Sequence, residues 1–223
     1  MLTSGSVVRV GIVEDEALMR DLLTQTLNSQ EGIEVVHSVP GVTEARLVFS
    51  PGTVDVAVLD VNLLDGNGVA LGVQLQRQDP DLAIMLLSSE DVMGLFTTVQ
   101  EEAPRPWSYL SKRSSFARDV LLRAVVAAAQ GQVVLDPYLV QRSEPRSGSA
   151  IASLTPAQFG VLRLVAEGLN NQAAADRLGI NTRSVESHLK SIYQRLGIDG
   201  ENSNRRVAAV LAFLEQTGRS WRN

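Results

Sequence analysis

The chain has 223 residues, of which 44% are hydrophobic and 20% charged, with a formal net charge of −5 and no cysteine. Its length suits one large or two small domains. The missing cysteines exclude a disulfide framework and thiolate metal sites, and no apolar run approaches the ~18 residues of a membrane span. The first six residues lack a signal-peptide pattern, so a cytoplasmic location without a membrane partner is expected.

Val7 to Val13 predicts a first strand. It ends at Glu14-Asp15-Glu16, three acids that repel one another unless a cation or solvent compensates. Ala17 to Leu27 reads as a helix with Leu18, Leu22, Leu23 and Leu27 on its inner face. A second strand, Ile33 to Val39, and a short helix, Val42 to Phe49, follow. Val56-Ala57-Val58-Leu59, with Val54 just before, is apolar and largely β-branched, as in a buried parallel strand, and it stops abruptly at Asp60. Asp65-Gly66-Asn67-Gly68 is dense turn chemistry. Next come a helix over Val69–Gln78, a strand over Ala83–Leu87 closed by Ser88-Ser89, and a short helix over Val92–Glu101. A brief fifth strand at Tyr109-Leu110 precedes Lys112, and a helix over Phe116–Gln130 is stopped by Gly131.

Strands alternating with helices five times imply an α/β fold with a doubly wound five-stranded parallel sheet, here residues 1–131. Right-handed crossovers put the C-terminal ends of the strands on one edge. Glu14, Asp15, Asp60, Ser88 and Lys112 all stand at such ends. Singly, each is an ordinary solvated loop residue; together they form a candidate site. Three carboxylates suit a hard cation such as Mg²⁺. The cation and the Lys112 ammonium would neutralise a transferring phosphoryl group, with Asp60 as nucleophile.

In order and spacing, these five residues resemble the receiver domain of bacterial response regulators over residues 7–131. The resemblance implies a flavodoxin-like receiver with Asp60 as phosphoacceptor for a partner histidine kinase. It implies Mg²⁺ held by Glu14, Asp15, Asp60 and the backbone carbonyl of Asn62. Ser88 would be the switch hydroxyl, Lys112 the phosphate-binding lysine and Tyr109 the switch aromatic. Two departures stand out. Leu64 replaces the usual proline four residues after Asp60. The segment Ala103-Pro104-Arg105-Pro106-Trp107-Ser108 replaces a usual Gly-Ala-x-Gly and makes the stretch from Ser88 to Lys112 about two residues longer than in that pattern. Its prolines fix φ and remove donors. Trp107 is expected either near the signalling face, altering output around Tyr109, or simply over the sheet's edge.

Ser143 to Ala150 is rich in Ser, Pro and Gly and reads as part of a mobile linker, placed at 132–153. The charge balance changes across it: residues 1–142 hold 10 Lys/Arg against 18 Asp/Glu, and residues 143–223 hold 10 against 7. An acidic half joined to a basic half predicts partners of different charge.

The second domain, 154–218, reads as all-α. Thr155-Pro156-Ala157-Gln158 is a capping box that opens a helix to Glu167. Asn171–Leu178 is a second helix, and Gly179-Ile180-Asn181 turns into a third, Thr182–Leu196, which fits a helix-turn-helix. Val185, Leu189, Ile192 and Leu196 form the buried stripe of the third helix. Arg183, Glu186, Ser187, Lys190 and Gln194 face the other way, as hydrogen-bonding groups suited to a major groove or as an ordinary solvated face. His188 borders the buried stripe and reads as structural. A last helix runs from Asn204 to Gln216, with Arg205 and Arg206 placed to reach phosphates.

Leu154-Thr155, the run Val165 to Asn171, Ala174-Ala175, Leu178-Gly179-Ile180, Ser184-Val185, His188 and Leu196-Gly197 resemble the LuxR-type helix-turn-helix. Gln158, Ser184, Gln194 and the extended Asp199–Asn204 loop depart from it. The whole chain thus resembles the NarL/FixJ family of response regulators. The resemblance implies a transcription regulator, not an enzyme. Phosphorylation would promote homodimerisation and binding to double-stranded DNA, with Glu186, Ser187 and Lys190 at the family's DNA-facing positions; Arg183 and Arg205, read from their helix faces, complete the expected contacts. Two rival readings fit the same residues. One is a phosphorylation-independent regulator with a vestigial receiver. The other, remote, is an aspartyl-phosphate phosphatase or phosphotransferase, which Asn62 disfavours because it offers no acid two residues after Asp60.

Overall fold

The computed structural model describes residues 7–90, 96, 98–100, 103–199 and 205–219. It divides into two compact units, Met1–Gln132 and Val133–Asn223.

The first unit is built on a five-stranded parallel sheet of order β2-β1-β3-β6-β7 among the described residues. Its strands are β1 (Val8–Val13), β2 (Ile33–Val39), β3 (Val56–Asp60), β6 (Ala83–Ser88) and β7 (Ser108–Ser111). β3 and β6 lie in the interior of the sheet and are buried at every position, as continuous β-branched and aliphatic runs require when helices cover both faces. Two short strands, β4 (Asn62–Leu63) and β5 (Gly66–Asn67), form a hairpin in the loop after Asp60. The helices are α1 (Ala17–Asn28), α2 (Val42–Val48), α3 (Gly68–Gln78), α4 (Lys112–Ser115) and α5 (Arg118–Ala129). The helix expected at Val92–Glu101 falls largely outside the described residues; positions 96 and 98–100 are helical.

Helix α1 corrects one expectation. Met19, Leu23 and Leu27 face the core, whereas Leu18 is 77% exposed and Leu22 40%. Two apolar rows at i, i+4 spacing overlap here, 18–22 and 19–23–27, and the longer one docks. Trp107 corrects another. It is fully buried, not at a signalling face. Its ring fills the space left by Gly72, where an added Cβ would lie 2.6 Å from Trp107 Cη2. Its indole N–H donates to Gln76 Oε1 at 2.8 Å. The Gln76 amide in turn donates to the Leu82 and Arg105 carbonyls. Arg105 donates to the carbonyls of Ala128 and Ala129, and so caps the C-terminus of α5. The proline-flanked segment is therefore a structural staple.

In the second unit the stretch expected as a mobile linker is ordered. Asp136 is buried and caps α6 (Pro137–Arg142) by accepting from the Tyr138 and Leu139 N–H groups. β8 (Ser143–Pro145) pairs antiparallel with β9 (Thr217–Arg219). Val133, Val134, Leu135, Val140 and Ile151 bury their side chains. Ser, Gly and Pro usually signal a flexible tether, but here the apolar residues on either side anchor the segment. The helices that follow are α7 (Pro156–Ala166), α8 (Asn171–Leu178), α9 (Thr182–Arg195) and α10 (Arg205–Gln216). The expected capping box is present: Thr155 Oγ1 accepts from Gln158 N–H at 3.3 Å, and Gln158 Oε1 accepts from Thr155 N–H at 3.0 Å. Gly179 ends α8 with φ +67°, and Asn181 caps α9 by accepting from Ser184 N–H at 2.8 Å.

Candidate functional site

Glu14 follows β1, Asp60 ends β3, Ser88 ends β6 and Lys112 follows β7, so the parallel sheet gathers all four at one rim. The Lys112 ammonium lies between two acids, 2.7 Å from Glu14 Oε1 and 2.9 Å from Asp60 Oδ2. Glu14 and Asp60 are buried. Carboxylate oxygens of Glu14, Asp15 and Asp60 lie within 4.8 Å of one another. Backbone bonds hold the cluster in shape. Asn62 N–H donates to Asp60 Oδ1 at 3.2 Å, Leu64 N–H to Asp15 Oδ2 at 3.1 Å, and Glu16 N–H to Glu14 Oε1 at 3.2 Å.

Burial pushes the Glu14 carboxyl above its usual value; the Lys112 hydrogen bond opposes this and the Asp60 charge adds to it. Burial also works against the Lys112 ammonium, but its hydrogen bonds to Glu14 and Asp60 outweigh that cost and raise its pKa. Glu14 Oε2 is buried with no hydrogen-bond partner. An orphaned carboxylate oxygen inside a cluster of hard oxygen donors fits a divalent cation.

Ser88 and Tyr109 lie on adjacent strands, and both are buried. Ser88 Oγ accepts from Glu90 N–H at 3.0 Å. The Tyr109 hydroxyl donates to the Glu90 carbonyl at 3.0 Å, and its ring lies 5.8 Å from that of Phe96.

Sequence reasoning missed three supports. Asp65 caps α2 from another loop, accepting from Val42 and Thr43 N–H groups at 2.8 Å each. These backbone bonds hold its carboxyl below the usual value. Arg20 donates to the Glu14 carbonyl at 2.7 Å. Gly68 passes so close to Asp60 that an added Cβ would lie 1.9 Å from the Asp60 carbonyl oxygen. The Asp65 partners are 22 and 23 residues away in the chain, so no local pattern announces them.

In the second unit, Val185, Leu189 and Ile192 of α9 are buried, and Leu196 is only half-buried. Arg183, Glu186, Ser187, Lys190 and Gln194 are exposed, as expected. Arg205 is exposed, 5.6 Å from the Tyr193 ring centroid. Arg206 departs from expectation: it turns inward and donates to the Leu169 carbonyl and Asn171 Oδ1. Among the described residues no helix is long and apolar enough to cross a membrane.

The family described as "Response regulator receiver domain" matches residues 10–125. That described as "Bacterial regulatory proteins, luxR family" matches residues 152–212. The chain is 30% identical to a nitrate/nitrite response regulator protein homolog of Haemophilus influenzae, over 94% of this chain and 97% of the relative. It is also 30% identical to the nitrate/nitrite response regulator protein NarP of Escherichia coli, over 94% and 96%. The RcsB response regulator of Salmonella typhimurium shares the fold, with a TM-score of 0.53 at 21% identity over 95% of this chain and 99% of that one. The rim of acids and lysine and the helix-turn-helix thus belong together: the chain is a member of the NarL/FixJ family of two-component response regulators, a receiver domain joined to a DNA-binding helix-turn-helix domain of LuxR type.

Proposed function

We propose that Asp60 accepts a phosphoryl group from a histidine kinase, and that the change favours a homodimer that binds paired half-sites on double-stranded DNA. The observation that carries the reading is the Lys112 ammonium, 2.9 Å from Asp60 and 2.7 Å from Glu14. An Asp60 carboxylate oxygen forms a new O–P bond as the P–N bond of a phosphohistidine breaks, and the imidazole leaves. Lys112 donates to the phosphoryl oxygens, where charge builds. Glu14, Asp15, Asp60 and the Asn62 carbonyl are the residues that would hold Mg²⁺. When bound, this ion supplies positive charge beside the phosphoryl oxygens. Ser88 and Tyr109, joined through Glu90, relay the change.

Three large apolar side chains support a protein partner at the rim. Leu18, Leu64 and Phe116 are 77%, 93% and 61% exposed, and each lies within four residues of Asp15, Asp60 or Lys112. Such exposure beside a charged site suits docking of a kinase. On α9 and the start of α10, Arg183, Glu186, Ser187, Lys190 and Arg205 are the proposed DNA contacts. The protein acts as a regulator in the cytoplasm, with no turnover of its own.

The test is labelling by acetyl phosphate in Mg²⁺. Wild type should acquire one phosphoryl group and Asp60→Asn none; label retained by Asp60→Asn overturns the assignment. One observation favours a second reading, DNA binding without phosphorylation: Tyr109 is already buried and bonded to Glu90. Equal DNA affinity with and without beryllofluoride and Mg²⁺ would support it.

A further inference from the structure

Glu186 stands out on α9. It is exposed on the same face as Arg183, one turn before it, and Lys190, one turn after. Either cation is at a spacing that allows an ion pair on a helix. Yet Glu186 takes part in no ion pair among the described residues. Among the described residues its carboxylate caps no helix and pairs with no cation. On a surface that approaches phosphates such a group weakens binding to every sequence alike, unless it meets a donor.

Resting on the DNA-contact reading above, we propose that Glu186 is a specificity residue that accepts a hydrogen bond from a cytosine amino group in the major groove. A carboxylate only accepts. The donors on the major-groove edge are the amino groups of cytosine and adenine. Adenine sets its amino group beside the N7 acceptor, which repels the second carboxylate oxygen; cytosine's own edge carries no such acceptor. Cytosine's partner guanine presents O6 and N7, which suit an ammonium. Lys190 lies on the Glu186 face four residues later, about 6 Å further along the helix. Glu186 and Lys190 therefore match a cytosine·guanine step: Glu186 takes the cytosine, and Lys190 takes the guanine of the same pair or the next. Ser187, also exposed, donates or accepts and so tolerates either base. Glu186 sits in the first half of α9, the part of a recognition helix that meets base edges.

The test is selection from a randomised duplex pool by full-length wild type and by Glu186→Gln and Glu186→Ala, each with and without acetyl phosphate and Mg²⁺. The wild-type motif should hold a cytosine whose replacement by thymine weakens binding about ten- to a hundred-fold. In Glu186→Ala that preference should fall to within about threefold, while affinity for unrelated duplex rises as the repulsion is removed. Glu186→Gln, which can donate as well as accept, should shift the preference toward adenine. If all three proteins select one motif with the same base preferences, and differ only by a uniform change in affinity, the inference is overturned and Glu186 is merely a solvated charge. If wild type enriches no motif under either condition, the DNA-contact reading fails and the inference with it. The substituted side chain is exposed, so folding is preserved and each outcome reports on recognition.

Discussion

Ser88 and Tyr109 are joined by one residue: Glu90 gives its N–H to Ser88 Oγ and its carbonyl accepts the Tyr109 hydroxyl, each at 3.0 Å. A phosphoryl group that pulls the Ser88 hydroxyl toward Asp60 must therefore compete with Glu90 and loosen the Tyr109 bond. Tyr109→Phe should leave the rate of Asp60 phosphorylation within about twofold. It should erase most of the gain in DNA affinity on phosphorylation, about five- to tenfold for one lost hydrogen bond. Fluorescence anisotropy with and without acetyl phosphate checks both.

Glu14 carries the pH dependence of the rim. Its carboxyl pKa is raised in the folded protein by burial, with the Asp60 charge adding and Lys112 opposing. Between the unfolded and folded values the native state holds more protons than the unfolded one, so this group's contribution to stability falls as pH rises. A divalent cation needs the charged form. Mg²⁺ affinity should rise over the same interval, and Mg²⁺ should restore the lost stability. Glu14→Gln should flatten both slopes; calorimetric Mg²⁺ titrations and thermal melts across pH measure them.

The loop after Asp60 tolerates no side chain at position 68. Gly68→Ala would drive a methyl into the Asp60 carbonyl, and the loop must shift. The expected result is slower phosphorylation together with lowered stability. Asn67→Ala is the control: it removes the cap on Val69 and Ala70 N–H groups and should cost about 1 kcal/mol. Its effect on phosphorylation should be far smaller.

Gln76→Leu should destabilise the first unit by about 1–3 kcal/mol, because it strands the buried Trp107 N–H and two carbonyls. Trp107→Ala should cost about 3–5 kcal/mol. Urea unfolding followed by circular dichroism separates the two.

Lys190→Ala should weaken DNA binding most on duplexes that carry the guanine it meets. An even loss across sequences, with the salt slope reduced by about one, would instead place Lys190 on a phosphate. Binding isotherms at several salt concentrations on matched and mismatched duplexes distinguish these outcomes.

The rim was legible in the sequence because each apolar run breaks at a polar residue, as at Leu59-Asp60 and Leu87-Ser88, and parallel topology brings such breaks to one edge. What was not legible depends on distant partners. The inner face of α1 turned on which of two overlapping leucine rows meets the sheet. The setting of Trp107 was not legible because its acceptor, Gln76, and its socket, Gly72, lie more than thirty residues earlier. The hairpin β4–β5 hides in what reads only as a turn. The run 143–150 has the composition of a tether, and its partner strand begins at Thr217.

That last pairing closes the second unit like a clasp. Arg146 N–H also donates to the Gln216 carbonyl, its Nε to the Thr217 carbonyl, and Ile151 N–H to Gln216 Oε1. Everything from the first LuxR-type helix to the end of α10 is thus enclosed in a loop of chain fastened at both ends. A fragment cut at Leu154 would discard half of the fastening and fray at the helix that carries Arg205. One cut at Val133 would keep it and should melt at higher temperature.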